Sequence, residues 1–139
     1  MEKKFLVGYG DVIITPEWSV PLGGCSFDSS SRIFDNIFED IHAIATAMTD
    51  EEGSSLVYVT FDMVRAYNHV VAAVKKALSE KLSLPEERIM VSCTHTHSAP
   101  SWGGYPNAQR YNEDFLEATI KATREALADR APAKLLAAK

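Results

Sequence analysis

The chain has 139 residues, of which 46% are hydrophobic and 24% are charged. This composition is typical of a folded domain and excludes an intrinsically disordered chain. A chain of this length makes one domain rather than two, so we expect residues 1–139 to form a single domain or a domain fragment. The 19 acidic and 14 basic residues give a net charge of −5, which argues against nucleic acid as a partner.

The sequence contains no apolar run near the roughly 20 residues that a membrane-spanning helix requires. The N-terminus has charged residues at positions 2–4 but lacks the apolar stretch and the cleavage site of a secretory signal. The two cysteines, Cys25 and Cys93, are too few for a disulfide framework. We therefore expect reduced thiols and a cytoplasmic location.

The beginning of the chain contains two short apolar runs and a long loop. Phe5–Val7 and Val12–Ile14 predict short strands, with a bend at Gly8-Tyr9-Gly10 between them. Residues 19–32 are rich in Gly, Ser and Pro and predict a loop. Long loops in small domains are often functional, so this loop is a candidate part of a site.

A hairpin and a β-α-β unit are predicted for the middle of the chain. His42–Met48 and Leu56–Phe61 have the pattern of an antiparallel hairpin, and the unbroken β-formers of the second run indicate a strand buried on both faces. Apolar residues at helical spacing from Tyr67 to Leu82 predict a helix, and Ile89–Cys93 predicts another strand. The strands at 56–61 and 89–93 flank the helix, so they should be parallel.

The end of the chain predicts a loop, a helix and an incomplete strand. Residues 98–111 form the loop, and Asn112 is the expected N-cap of the helix. Ala133–Lys139 has the pattern of the start of a strand. The predicted fold is therefore α/β, a mixed sheet with helices on its faces, and we expect the incomplete first half of a larger domain. The second helix should bury one stripe of residues: Leu116, Thr119, Ile120, Thr123 and Leu127.

Ionisable residues converge at the predicted carboxyl ends of the two parallel strands, where ligands bind in parallel sheets. One strand ends at Asp62, and the other continues into His95 and His97. If that segment stays extended, the two imidazoles lie on one face, about 6.5–7 Å apart, and could share a metal such as zinc or divide the binding of metal and substrate between them. The alternative is that both histidines bond only to their neighbours. A site is favoured by the small residues that follow the pair, which let a substrate approach the backbone: Ser98, Ala99, Gly103 and Gly104.

Four other residues have less specific interpretations. Asp62 could orient an imidazole or a metal ligand, or it could cap the next helix, which we expect to begin at Met63–Ala66. Cys93 shares the alternating face of the histidines and could bind zinc, although a thiol in a strand is more often a small buried hydrophobe. His42 is expected to be structural, and His69 is expected to be a surface residue.

Common nucleotide-binding and hydrolase motifs are absent from the sequence. Gly8-Tyr9-Gly10 lacks the third glycine and the following helix of a dinucleotide site, and there is no GxxxxGK[ST], GxSxG or HExxH pattern. Trp18 and Trp102 lie in the two predicted long loops. They either line an apolar substrate groove or pack beneath those loops.

One motif, His95-Thr96-His97-Ser98 within Ser92–Pro100, directly follows a predicted strand. Earlier segments precede it in order: Val7–Gly10, Ile14–Pro16, Pro21–Gly24 and Leu56–Asp62. Together these residues resemble the neutral/alkaline (non-lysosomal) ceramidases over nearly the whole chain. The histidine motif is the specific part of the resemblance, and the other segments support it by their order.

The resemblance implies a zinc-dependent amidase that cleaves the N-acyl bond of ceramide to give sphingosine and a fatty acid. It implies that His95 is a zinc ligand and that His97 lies beside the substrate. Zinc in such a site polarises the amide carbonyl or activates a nucleophile, and His97 could stabilise the developing oxyanion. The family's other zinc ligands (a second His, a Glu and a Tyr) and its serine nucleophile lie further along a longer chain. The Zn²⁺ site should therefore be incomplete here.

We accordingly expect an N-terminal part of a ceramidase-like zinc amidohydrolase that acts on a small or lipid-like N-acyl substrate. The isolated chain should bind zinc weakly and show no amidase activity. One alternative is a non-catalytic interaction module that keeps the fold, with a partner chain or a missing C-terminal part completing the sheet. Another is a different metal-dependent hydrolase with the same His-x-His arrangement.

Overall fold

A five-stranded mixed sheet with two helices on one face forms the described part of the chain. The computed structural model describes residues 5–24, 36–102 and 108–138. The elements in chain order are β1 (Leu6–Ile13), β2 (His42–Thr49), β3 (Ser55–Phe61), α1 (Asn68–Leu82), β4 (Ile89–Cys93), α2 (Ala108–Ala128) and β5 (Ala131–Pro132). The strand order is β4-β3-β2-β1-β5, in which β3 and β4 are parallel and the other neighbours are antiparallel. This arrangement confirms the predicted α/β class.

The first strand is continuous, so the predicted bend at Gly8-Tyr9-Gly10 is wrong. β1 pairs with β2 along its whole length. A Cβ atom on Gly8 would lie 2.1 Å from the Ala126 carbonyl oxygen, and one on Gly10 would lie 2.0 Å from the Ala122 carbonyl oxygen. The two glycines are therefore needed because the backbone of α2 lies directly against β1.

The predicted hairpin of β2 and β3 is confirmed, with Ala45 opposite Val59. The prediction that β3 is buried on both faces is wrong. Val57, Val59 and Phe61 are fully buried beneath the helices, whereas Tyr58 on the other face is 37% exposed. The run looks uniform in sequence because Tyr and Thr are also strong β-formers, whichever face they occupy.

The predicted β-α-β unit is also confirmed. β3 and β4 are parallel, with Val59 opposite Val91, and α1 connects them. The helix begins at Asn68 rather than at Met63–Ala66, and its N-cap position is Tyr67. It ends at Leu82, and the C-cap residue Ser83 has a left-handed backbone conformation and donates its N–H to the Ser79 carbonyl.

The second helix begins earlier than predicted. α2 starts at Ala108, so the expected cap at Asn112 is wrong and that residue lies inside the helix. Of the predicted stripe, Leu116, Ile120 and Leu127 are only partly buried. Close packing against β1 and β2 favours small and aromatic side chains on the buried face instead: Tyr111, Phe115, Thr119, Ala122, Thr123 and Ala126.

The chain after α2 contributes less sheet than predicted. β5 consists of Ala131–Pro132, which pair with the start of β1. Residues 133–138 have no regular structure, so the prediction of a strand over Ala133–Lys139 is wrong for the part that is described. Pro132 has no N–H group to extend the ladder, which agrees with the short length of β5.

No helix or strand in the described ranges covers the second face of the sheet. Alternate strand residues point to this face, and three large side chains there are about half exposed: Tyr9 at 52%, Ile13 at 52% and Met90 at 53%. None of the helices in the described ranges has the length and apolar character needed to cross a bilayer.

Candidate active site

The carboxyl ends of β3 and β4 lie side by side, as the sequence predicts. The backbone contact between the two strands continues beyond their ends. The N–H of Thr94 donates to the Phe61 carbonyl at 2.9 Å, and the N–H of His95 donates to the Met63 carbonyl at 3.1 Å. These bonds hold the start of the histidine motif against the segment that leaves β3.

His95 has an unusual backbone conformation and a fixed ring. Its φ angle is +67°, a left-handed conformation that costs a side chain of this kind of order 1 kcal/mol and is common at functional sites. Its Nδ1 lies 2.6 Å from the Val64 carbonyl oxygen. Because that oxygen can only accept, Nδ1 must carry the proton, and in the neutral ring Nε2 keeps its lone pair. This is the tautomer in which a histidine can bind a metal through Nε2.

The rings of His95 and His97 lie against each other. Their centroids are 5.1 Å apart, with the planes nearly perpendicular at 85°. The extended geometry on which the predicted spacing rested is wrong, because β4 ends at Cys93 and the chain turns at His95. This turn brings the pair together, and both residues are exposed to solvent.

A short pairing of two loops, which we call the clasp, holds the histidine motif from the other side. The clasp joins residues 21–24 to residues 99–101. The N–H of Gly23 donates to the Ala99 carbonyl and the N–H of Ser101 donates to the Pro21 carbonyl, each at 2.8 Å. The predicted functional loop therefore does reach the site at its described end, while its continuation at 25–32 lies outside the described residues.

Gly24 in the clasp supports the ring of His97. Its φ angle is +75°, and a Cβ atom there would lie 2.9 Å from Nδ1 of His97 and 2.7 Å from a methyl carbon of Val64. Only glycine fits both the backbone conformation and the space. The sequence indicates the loop but gives no sign that this glycine touches His97.

Asp62 connects the ends of two strands. Its carboxylate accepts the N–H of His42 at 3.0 Å, and its own N–H donates to the His42 carbonyl. Since α1 begins at Asn68 with Tyr67 as its N-cap, Asp62 does not cap that helix. Its predicted role in orienting an imidazole or a metal ligand remains a prediction.

The remaining histidines lie in other surroundings. Nδ1 of His42 is 2.6 Å from Asp11 on the neighbouring strand, in keeping with the structural role expected for this residue. His69 is exposed on α1, where its ring stacks on Tyr67 with centroids 5.8 Å apart.

Cys93 has the environment of a small buried hydrophobe. It pairs with Phe61 at the end of the strands and packs against the core. Burial raises the pKa of its thiol to about 11, so at neutral pH the sulfur is protonated and is a poor nucleophile.

Trp102 packs against the core, in agreement with the second of the two predicted alternatives. Its indole N–H donates to the Arg65 carbonyl at 2.7 Å, and its ring meets Phe115 edge-on at 4.8 Å. Three successive carbonyls of the chain, those of Met63, Val64 and Arg65, therefore accept bonds from His95 and Trp102. Sequence reasoning could not find this acceptor segment, because every residue has a backbone carbonyl.

His95 and His97 offer two imidazoles that could contribute to a metal site. Catalytic zinc usually has three protein ligands and one open position. Nε2 of His95 fits such a role, and the ring of His97 lies next to it. Within residues 5–24, 36–102 and 108–138 there is no group of three or more His, Cys, Asp or Glu side chains that could hold a metal. A metal ion bound at His95 would therefore need further ligands from outside these residue ranges.

Comparison with solved structures identifies the fold. No protein-family model and no curated protein sequence matches the chain. Its structure is similar to a neutral ceramidase from Pseudomonas aeruginosa, with a TM-score of 0.79 and 22% identity, covering 95% of this chain and 23% of that one. It is also similar to a ceramidase complexed with C2, with a TM-score of 0.78 and 21% identity over 94% of this chain and 22% of that one. The chain thus has a ceramidase-like fold and spans less than a quarter of those proteins.

Proposed function

We propose that the chain is part of a ceramidase-like, zinc-dependent amidohydrolase that cleaves the N-acyl bond of ceramide or of another lipid-like amide. The observation that carries this proposal is the ring of His95, held by the Val64 carbonyl with Nε2 available and packed against His97. This pair lies at the carboxyl end of β4, in a fold similar to part of a ceramidase.

In this proposal the two histidines have different roles. His95 would hold the metal through Nε2, while the Val64 carbonyl keeps the Nδ1 proton in place. A bound zinc ion supplies Lewis-acid polarisation of an amide carbonyl or a nucleophile at neutral pH. His97 would donate a hydrogen bond to the oxygen that becomes negative in the transition state. Asp62 would act indirectly, by fixing the ends of β2 and β3 beside the site.

Zinc titration of the chain tests the metal part of the proposal. We expect weak binding that is lost in His95→Ala and retained in His69→Ala, because His69 lies exposed on α1. Binding that is unchanged in His95→Ala would contradict the assigned ligand. Tight one-to-one binding that depends on His95 would support His95 as a ligand but contradict the expectation that the metal site is incomplete.

The catalytic part of the proposal requires further ligands and a nucleophile, which we expect from outside these 139 residues. We expect no hydrolysis of an N-acyl substrate by the isolated chain. The nucleotide sequence beyond codon 139 is the decisive observation, since an open frame that supplies further metal ligands and a nucleophile would allow the longer polypeptide to be assayed. Robust amide hydrolysis by the isolated chain would overturn this account, and a stop codon at that point would require a partner chain.

A non-catalytic interaction module is the second candidate. The uncovered face of the sheet, with Tyr9, Ile13 and Met90 each about half exposed, favours it. Replacing His95 and His97 together separates the two candidates. Loss of zinc with an intact circular dichroism spectrum favours the active-site proposal, whereas loss of folding, or no effect on either property, favours a structural role.

A further inference from the structure

A cavity of about 340 Å³ lies between residues 13–18 and the first turns of α2. β1 and β3 are both antiparallel to β2, so this cavity opens at the same end of the sheet as the histidine pair. Its size is within the range of small-molecule sites. At about 30 Å³ for each water-sized volume, it has room for roughly ten non-hydrogen atoms.

The inner walls of the cavity are apolar and aromatic. Ile14 and Phe115 are buried in the core, and Tyr111 is held beside them by a hydrogen bond from its hydroxyl to the Ile14 carbonyl at 3.1 Å. Trp18 forms part of the outer wall. Such walls suit an apolar body and offer it little hydrogen bonding.

The charged groups at the cavity are unbalanced. Glu17 and Asp114 are acidic, and Arg110 is the single basic side chain among the lining residues. The Arg110–Asp114 ion pair is long, at 3.9 Å, and both side chains are more than half exposed, so the pair is weak. Glu17 is exposed and makes no ion pair in the described part of the chain. The cavity therefore carries net negative charge.

Trp18 already holds a cation on its ring. The guanidinium carbon of Arg110 lies 4.6 Å from the centre of the indole, a distance typical of a cation–π contact. The indole N–H is buried and has no hydrogen-bond partner among the described residues. At the cavity, the face of this ring, which attracts positive charge, therefore lies against Arg110.

From these features we propose that the cavity binds a primary ammonium carried on an apolar body of about ten non-hydrogen atoms. The ammonium lies over the face of Trp18, close to Glu17 and Asp114, and takes the position that the Arg110 guanidinium holds in this structure. The apolar body lies against Tyr111 and Phe115. A carboxylate of the same length would meet net negative charge at this point. This inference does not depend on the proposed hydrolase function.

Three probes with the same number of carbon atoms distinguish the contribution of charge to binding from that of apolar burial. We expect calorimetric binding of n-octylammonium at low salt, with n-octanol weaker and n-octanoate at least about tenfold weaker than n-octylammonium. Binding of the ammonium should weaken as salt is added, because the carboxylates are exposed. Equal or tighter binding of octanoate, or no binding of the ammonium, would overturn the proposal.

Matched variants test the position of the cation. Glu17→Gln and Glu86→Gln remove the same charge from exposed sites, but Glu86 lies in the turn before β4, outside the cavity lining. Only Glu17→Gln should weaken ammonium binding, by several-fold. Arg110→Met should strengthen it, because the resident cation is removed. Equal effects of the two glutamate variants, or loss of ammonium binding in Arg110→Met, would contradict the assignment, provided that circular dichroism shows each variant folded.

Discussion

Two glycines with similar backbones allow the support of His97 to be measured. Gly24 has a φ angle of +75° and Gly53 one of +88°. An alanine at either position is strained, which lowers the free energy of unfolding by about 1 kcal/mol. A Cβ atom at Gly53 meets nothing within 4 Å, whereas one at Gly24 meets His97 and Val64. The difference between the two alanine variants therefore isolates the contact.

The size of the displacement follows from the distances. A Cβ atom at Gly24 would lie 2.9 Å from Nδ1 of His97, and ordinary contact begins at 3.4 Å. The ring must retreat by about 0.5 Å or the clasp must open, and crowding of this kind costs roughly 1–3 kcal/mol. His97 packs against His95, and Val64, the other residue that the new methyl group would crowd, holds Nδ1 of His95 through its carbonyl. Metal sites tolerate errors of about 0.2 Å in ligand distance, so a displacement passed on to His95 should weaken zinc binding about tenfold beyond any effect of Gly53→Ala.

Nitrogen–proton correlation spectra of the four imidazoles give the direct measurement. In Gly24→Ala the signals of His97 and His95 should shift, while those of His42 and His69 should not. In Gly53→Ala all four should stay in place. Identical spectra for both variants, or unchanged His97 signals in a folded Gly24→Ala protein, would refute the argument that this glycine positions the ring.

Further predictions concern the sheet. Gly10→Ala should lower the free energy of unfolding, measured in urea, by roughly 3 kcal/mol or prevent folding. The reason is that its Cβ atom would lie 2.0 Å from a carbonyl oxygen of α2. A loss of stability below about 1 kcal/mol would mean that α2 does not lie on β1. The hydrogen bond between Tyr58 and Ser92 lowers the pKa of Tyr58, because the hydroxyl of Ser92 can donate to the phenolate, so Ser92→Ala should move the ultraviolet titration of Tyr58 to higher pH. The hydrogen bond from Tyr9 to Asp11 raises the pKa of Tyr9 by favouring its protonated form, so Asp11→Asn should move the titration of Tyr9 to lower pH. No shift in either titration would mean that these hydrogen bonds are not formed in solution.

The sequence predicted the elements whose pattern is local. The hairpin of β2 and β3 follows from runs of β-formers with a turn between them, and the parallel pair of β3 and β4 follows from the helix that separates them. Since parallel strands bring their carboxyl ends to the same edge, the position of His95 and His97 beside the end of β3 could also be predicted.

Features that depend on distant parts of the chain were not predictable. The glycines of β1 have the local pattern of a bend, and their reason is a helix more than 100 residues further along the chain. Asn112 and the acidic residues after it have the local pattern of a helix start, but they lie inside α2. The carbonyls of 63–65 carry no pattern in the sequence, although they hold His95 and Trp102 in place.

The clasp also has a consequence for local opening. It joins residues near position 23 to residues near position 100, and the bond from His95 to Val64 spans 31 residues. Loop-closure entropy opposes such contacts, and the clasp is held by two backbone bonds, whereas β2 and β3 share a full ladder. We expect the amides of Gly23 and Ser101 to exchange with solvent faster than those of β2 and β3. The chain can then lose the arrangement of both imidazoles while its sheet remains folded, so a folded spectrum alone does not report an intact site.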